Sequence, residues 1–138
     1  MPKGHITTGG GYVASESADG RYLYYKNAGA GPLWRIPVAG GAPTKVIDSV
    51  ASRVFTATLD GIYFTAGVAA VSTPFGPLAP MLRYFDFATS TVRVVATLPG
   101  LPSHGTGANA AISPDGRWAL YSRFEYSGTN LMLVENFR

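Results

Sequence analysis

Three stretches carry the same dipeptide: Ala18-Asp19-Gly20-Arg21-Tyr22-Leu23-Tyr24-Tyr25, Leu59-Asp60-Gly61-Ile62-Tyr63-Phe64-Thr65 and Ser113-Pro114-Asp115-Gly116-Arg117-Trp118-Ala119-Leu120-Tyr121. Each Asp-Gly opens a run of aromatic and branched residues suited to a pleated, half-buried strand. Each is preceded by a shorter run: Tyr12-Val13-Ala14-Ser15, Val54-Phe55-Thr56-Ala57 and Ala108-Asn109-Ala110-Ala111-Ile112. Asp-Gly between two such runs predicts a tight hairpin in which both turn positions take positive φ. Three such hairpins in one chain form a repeat.

The repeat extends outward. A third run follows each hairpin: Leu33-Trp34-Arg35-Ile36-Pro37-Val38, Leu82-Arg83-Tyr84-Phe85-Asp86-Phe87 and Leu131-Met132-Leu133-Val134-Glu135-Asn136. Aligned on their leucines, these put Ile36, Phe85 and Val134 at one position, with Pro37, Asp86 and Glu135 where a strand leaves its ladder. After the turns Ala39-Gly40-Gly41 and Ala88-Thr89-Ser90 come fourth runs, Thr44–Asp48 and Val92–Thr97. Successive Asp-Gly pairs lie 41 and 55 residues apart. The longer interval carries its excess in Gly67–Pro80 and Pro99–Gly107, loops where insertion is tolerated.

Four antiparallel strands repeated every ~40–45 residues predict the blades of a β-propeller. The expected architecture is all-β: about three four-stranded antiparallel blades in an incomplete ring. It spans residues 1–138 as a stub of a preceding outer strand (1–10), two full blades (11–49 and 50–102) and a blade lacking its outer strand (103–138). A ring normally has ~4–8 blades. The expected partners are therefore another protein, the rest of a larger propeller, or a second copy in a homodimer that completes a ring.

Composition agrees with short strands and many turns. Of 138 residues, 27 are Gly or Pro, about a fifth, against an average near ~12%. Charged residues are 14%, and there is no cysteine, which excludes a disulfide scaffold and a thiolate metal site. The net charge is +3, but the basic residues are scattered singly, so no phosphate-tracking stripe forms and no nucleic-acid partner is expected. Three prolines, Pro74, Pro77 and Pro80, interrupt the longest weakly polar stretch and argue against a membrane span. Met1–Gly11 has no apolar run of the signal-peptide type. The compartment, envelope or cytoplasm, stays open.

The motif resembles a known group. Ala18-Asp19-Gly20-Arg21 and Ser113-Pro114-Asp115-Gly116-Arg117-Trp118 look like the Ser-Pro-Asp-Gly-Lys/Arg motif of TolB-like, WD-repeat-like propellers. Leu33–Gly41 is similar to the strand and turn that follow it, and Leu131–Arg138 to a last propeller strand. Leu59-Asp60-Gly61 departs from the pattern by lacking Ser-Pro. The resemblance implies a bacterial repeat domain, one that often accompanies a winged-helix or Ser/Thr kinase domain, and leans toward the cell envelope.

Residues able to do chemistry are sparse. There is no Gly-x-Ser-x-Gly elbow, and the two histidines, His5 and His104, fall in loop-like sequence. Two histidines without cysteine make no metal cluster, and the acids are isolated singles. Gly9-Gly10-Gly11, Gly29-Ala30-Gly31-Pro32 and Gly105-Thr106-Gly107 precede no helical pattern and read as connections. The aromatics Tyr22, Tyr24, Tyr25, Tyr63, Phe64, Trp118 and Tyr121 read as packing between blades. Glu16, Arg35, Arg83, Arg123 and Glu125 are charges flanking strands; of these Arg83, Arg123 and Glu125 are the candidate binding residues. The expectation is a non-enzymatic scaffold for protein interaction or ligand sensing, without a cofactor. The alternative is an accessory propeller of a serine peptidase, kinase or winged-helix regulator.

Overall fold

A computed structural model describes residues 7, 9–27, 29, 31–50, 54–66, 72–73, 76–77, 81–98, 110–113 and 115–121. The first sheet is a meander, β1 (Val13–Glu16), β2 (Tyr22–Lys26), β3 (Gly31–Pro37) and β4 (Thr44–Val50), with every neighbour antiparallel. The second repeats the order with β5 (Phe55–Ala57), β6 (Gly61–Thr65), β9 (Met81–Asp86) and β10 (Val92–Thr97). Between β6 and β9 stands a small hairpin, β7 (Ser72–Thr73) and β8 (Gly76–Pro77), inside the stretch expected to be a plain loop. A third sheet pairs β11 (Ala110–Ile112) with β12 (Ala119–Tyr121). The described residues form an all-β structure without helix. The expected third run at Leu131–Asn136 and most of the 1–10 stub lie outside them.

Registers equate the three hairpins. Ala14, Ser15 and Glu16 pair with Tyr25, Tyr24 and Leu23, as Phe55, Thr56 and Ala57 pair with Phe64, Tyr63 and Ile62, and Ala110, Ala111 and Ile112 with Tyr121, Leu120 and Ala119. Pro32, which cannot donate to a ladder, falls where the β3–β4 register shifts.

The turns differ from a two-residue Asp-Gly hairpin. In the first hairpin Gly20 N–H donates to Ser17 O at 2.9 Å, and Ser17 N–H to Tyr22 O at 2.8 Å. The third repeats both bonds, Gly116 to Ser113 and Ser113 to Trp118, each 2.9 Å. These are four-residue loops in which, among the described residues, only the glycine has positive φ, 71° at Gly20 and 68° at Gly116. In the second hairpin Thr58 N–H bonds Gly61 O at 2.9 Å, so Leu59-Asp60 is the loop and Gly61 is the first residue of β6. Without Ser-Pro there is no serine to organise the longer loop.

Alternation along β2 puts Tyr22, Tyr24 and Lys26 on one face and Leu23 and Tyr25 on the other. The Tyr24 face of the first sheet, with Leu33, Ile47 and Val50, packs on the Ile62 face of the second, with Phe55 and Phe64. The opposite face of the second sheet, carrying Tyr63 and Leu82, then packs with Leu98 on Ile112 and Tyr121 of the third. The same pair of faces meets at both junctions, and β5 touches both β1 and β11.

Gly61 permits this packing for a steric reason. A Cβ there would overlap the Phe85 carbonyl oxygen and the Tyr84 ring. A Cβ at Gly20 would meet only the Glu16 carboxylate, in ordinary contact at 3.4 Å, so glycine is needed there mainly for φ. Gly20→Ala is expected to cost about 1 kcal/mol in urea denaturation. Gly61→Ala is expected to cost more, roughly 1–3 kcal/mol or above, because backbone must move. Equal losses would contradict the assignment.

Candidate functional site

Between the first turn and the second sheet lies a cleft of about 290 Å³, with Asp19 and Arg21 at one wall, Tyr22, Tyr24 and Arg35 at its floor, and Leu59 opposite. The turn is built around Asp19. Its carboxylate accepts from Ser17 Oγ at 2.6 Å, Arg21 N–H at 3.1 Å and Arg21 Nε at 2.7 Å. Those bonds, the serine hydroxyl foremost, hold its pKa well below the usual carboxylate range. The third turn repeats the set: Ser113 Oγ donates to Asp115 at 2.5 Å, and Arg117 N–H does so at 3.1 Å. Ser17 Oγ accepts from Tyr22 N–H, and Ser113 Oγ from Trp118 N–H, both at 2.9 Å. Asp115 is depressed for the same reason, and Asp86 is depressed by the backbone N–H groups of Thr89 and Ala88. All three carboxylates are committed as acceptors, which makes them poor bases.

At the floor, the Arg35 guanidinium lies over the Tyr22 ring, 4.7 Å from its centre. Tyr24 is buried, its ring stacked on Phe87 at 6.0 Å across the sheet junction. Burial pushes the Tyr24 phenol pKa up, partly opposed by its hydrogen bond with Arg35. Leu59, 71% exposed, leaves an apolar side chain at the rim. The cleft thus offers the Arg35 cation beside the Asp19–Arg21 ion pair, an apolar edge, and the rings of Tyr22, Tyr24 and Phe87.

Arg83 stands elsewhere. It sits in β9 opposite Phe64 and Val94, half-buried, and no hydrogen-bond partner for its buried Nε is found among the described residues. Arg123 and Glu125, the other two candidate binding residues, lie outside the described residues, as do His5 and His104. The structure therefore does not bring Arg83 to the cleft, whereas it places Arg35 there. Trp118 corrects the packing reading of the aromatics: it is 74% exposed, because no described sheet covers that face of the third hairpin. Val92, Val94 and Val95 are likewise exposed on the edge strand β10.

Lys26 was not singled out by motif, although its parity with Tyr22 and Tyr24 places it on the packed face. It is fully buried, and its Nζ donates to Val50 O at 2.6 Å. Among the described residues no group of three or more histidine, cysteine, aspartate or glutamate side chains could hold a metal, and no helix is long and apolar enough to cross a membrane. Comparison with protein-family models, curated proteins and solved structures found no match to this chain.

Burial pushes the Lys26 pKa down to about 8 from 10.5. Between those values the unfolded chain holds the extra proton, so stability is expected to rise with pH from about 8. Near pH 10 the trend reverses, since the raised pKa values of Tyr24 and Tyr84 let the unfolded tyrosines ionise first. Urea midpoints measured from pH 7 to 10 should show the rise in the native chain. In Lys26→Met the rise should be absent, leaving only the fall near pH 10 from the tyrosines; a rise that persists there would assign it to another group.

Proposed function

We propose that the chain contributes three consecutive blades of a TolB-like, WD-repeat-like β-propeller and acts as a non-enzymatic scaffold that binds a protein segment at the cleft beside Asp19. The observation that carries this is the repetition of one junction. The Tyr24-type face of each sheet meets the Ile62-type face of the next, and the first strands β1, β5 and β11 lie side by side. Blades set around an axis with their innermost strands adjacent have this arrangement. The shared Ser-x-Asp-Gly loop, with five equivalent hydrogen bonds in the first and third hairpins, supports common descent of the units.

The chemistry of the cleft favours recognition over catalysis. Its carboxylate is tied to Ser17 and Arg21, and Tyr24 is held protonated by burial. A volume of about 290 Å³ is at the lower end for small-molecule pockets, ~300–1,000 Å³. It suits one or two side chains of a longer segment. Arg35 favours a carboxylate, and Leu59, Tyr22 and Phe87 favour an apolar neighbour beside it.

A random peptide library selected on the 138-residue chain is expected to enrich an acidic residue next to an aromatic or branched one. Leu59→Asp and Arg35→Ala should each weaken the best peptide about tenfold, a loss of roughly 1.4 kcal/mol. Val94→Lys on β10 should leave affinity unchanged. Binding indifferent to both cleft variants would overturn the site. Turnover of an ester, phosphate or peptide substrate by the purified chain would overturn the non-enzymatic reading.

A further inference from the structure

The two junctions between sheets are equivalent but not equally filled. At the second, the turn of the third hairpin reaches across to the sheet before it. A Cβ on Gly116 would lie 2.8 Å from the Tyr63 hydroxyl oxygen, so the turn backbone rests on that phenol. Tyr63 is the register equivalent of Tyr24, and Tyr84 of Arg35. At the first junction the corresponding turn is shorter. Thr58 N–H closes on Gly61 O around two residues, whereas Ser113 N–H closes on Trp118 O around four. The cleft of about 290 Å³ opens where the shorter loop stops, between Leu59 and the side chains of Tyr22, Tyr24 and Arg35. Charge marks the same place. At the second junction the position is taken by Tyr84, its ring centre 4.7 Å from that of Tyr63. At the first it is Arg35, held over the Tyr22 ring and beside the Tyr24 hydroxyl. The ion pairs among the described residues, Arg21 with Asp19 and Lys45 with Asp48, give Arg35 no carboxylate.

We propose that this cleft receives an exposed Asp-Gly turn of a partner protein, in the place that the shortened second loop does not reach. The inference rests on the scaffold reading and specifies the segment bound. The partner's aspartate meets Arg35, its glycine lies against Tyr24 as Gly116 lies against Tyr63, and the apolar residue before the aspartate covers Leu59. Glycine is required because the backbone comes too close to a phenol for a side chain, and because such turns take positive φ. Aspartate suits the position because a carboxylate has acceptor sites for two tasks. It can cap its own turn, as Asp115 does with Ser113 and Arg117, and still take a charge-assisted bond from Arg35. A turn fits better than an added strand. β2 and β3, which carry Tyr22, Tyr24 and Arg35, lie inside the order β1-β2-β3-β4 and have no free edge for an extended peptide to pair with.

The probe is a short disulfide-closed peptide presenting Val-Asp-Gly at its turn, titrated into the 138-residue chain, which has no cysteine of its own to exchange. The closed peptide is expected to bind about tenfold tighter than its reduced, open form, because closure removes the cost of ordering the turn. Replacing the peptide's glycine by alanine, or its aspartate by asparagine, should each weaken binding about tenfold. Against Arg35→Ala the aspartate and asparagine peptides should bind alike, since the carboxylate has lost its cation. Lengthening the second loop tests the geometry from inside. Pro-Asp-Gly-Arg in place of Leu59-Asp60, with Thr58→Ser, should fill the cleft and abolish binding while the far-ultraviolet circular dichroism stays β. A grafted chain that folds and still binds would overturn the proposal; if the graft does not fold, the peptide series decides. Affinity that ignores closure, glycine or aspartate would also overturn it. Those failures leave the scaffold reading standing so long as selected peptides respond to Leu59→Asp and Arg35→Ala, whereas binding indifferent to both variants removes the two together. Light scattering checks the occupant: a dimer of the native chain that Arg35→Ala dissolves would make the occupant this chain's own turn and overturn the assignment to a partner.

Discussion

The structure depends on burial between facing sheets, above all the layer in which Tyr24 and Leu33 of the first meet Ile62 and Phe64 of the second. Neither strand β2 nor β6 is amphipathic in the ordinary sense. In Tyr22-Leu23-Tyr24-Tyr25 and Ile62-Tyr63-Phe64, large side chains point both ways, so both faces need cover. Each such side chain, fully buried, contributes about 1.5–3 kcal/mol, a large share of the 5–15 kcal/mol net stability of a domain. A single sheet would leave half of that area in water. Stacking is the consequence, and it fixes where every turn and charge ends up.

The polar groups follow from that stacking. Ser17, Asp19 and Gly20 close the first hairpin, and Ser113, Asp115 and Gly116 close the third with matching bonds at matching lengths. The second hairpin solves the same problem with Thr58 and Leu59-Asp60, which frees Gly61 to sit under the Tyr84 ring. In the first sheet the corresponding pair is Tyr22 with Arg35 above it. One unit stacks a guanidinium on a β2 ring, while the other brings the ring from β9 and stacks Arg93 on it at 4.9 Å. The cleft exists because the first unit places Arg35 there and the second unit joins β5 to β6 through the short loop bearing Leu59.

Much of the strand plan was legible in the residues. Period-two patterns and the Asp-Gly punctuation located β1–β6 and β9–β12 within a few positions, since pleat alternation and turn chemistry act over neighbouring residues. Turn type was misjudged, because Asp-Gly alone does not tell a two-residue loop from a four-residue one; the serine two positions before the aspartate does. Arg35 was recognisable as a charge flanking a strand. Its role beside Tyr22 was not, and nothing local distinguished it from Arg83, whose strand faces different company.

The sequence by itself determined that the described residues are all-β, that their strands come in a repeated order, and where they turn. Those properties rest on side-chain branching, alternation and φ preferences, which each residue carries with it. Only the tertiary structure decided which faces are covered. Tyr24 and Leu120 occupy equivalent positions in equivalent hairpins, yet one is 2% exposed and the other 78%. Lys26 is fully buried for the same kind of reason. Burial belongs to the sheet that lies opposite, and that neighbour comes from residues far away in the chain.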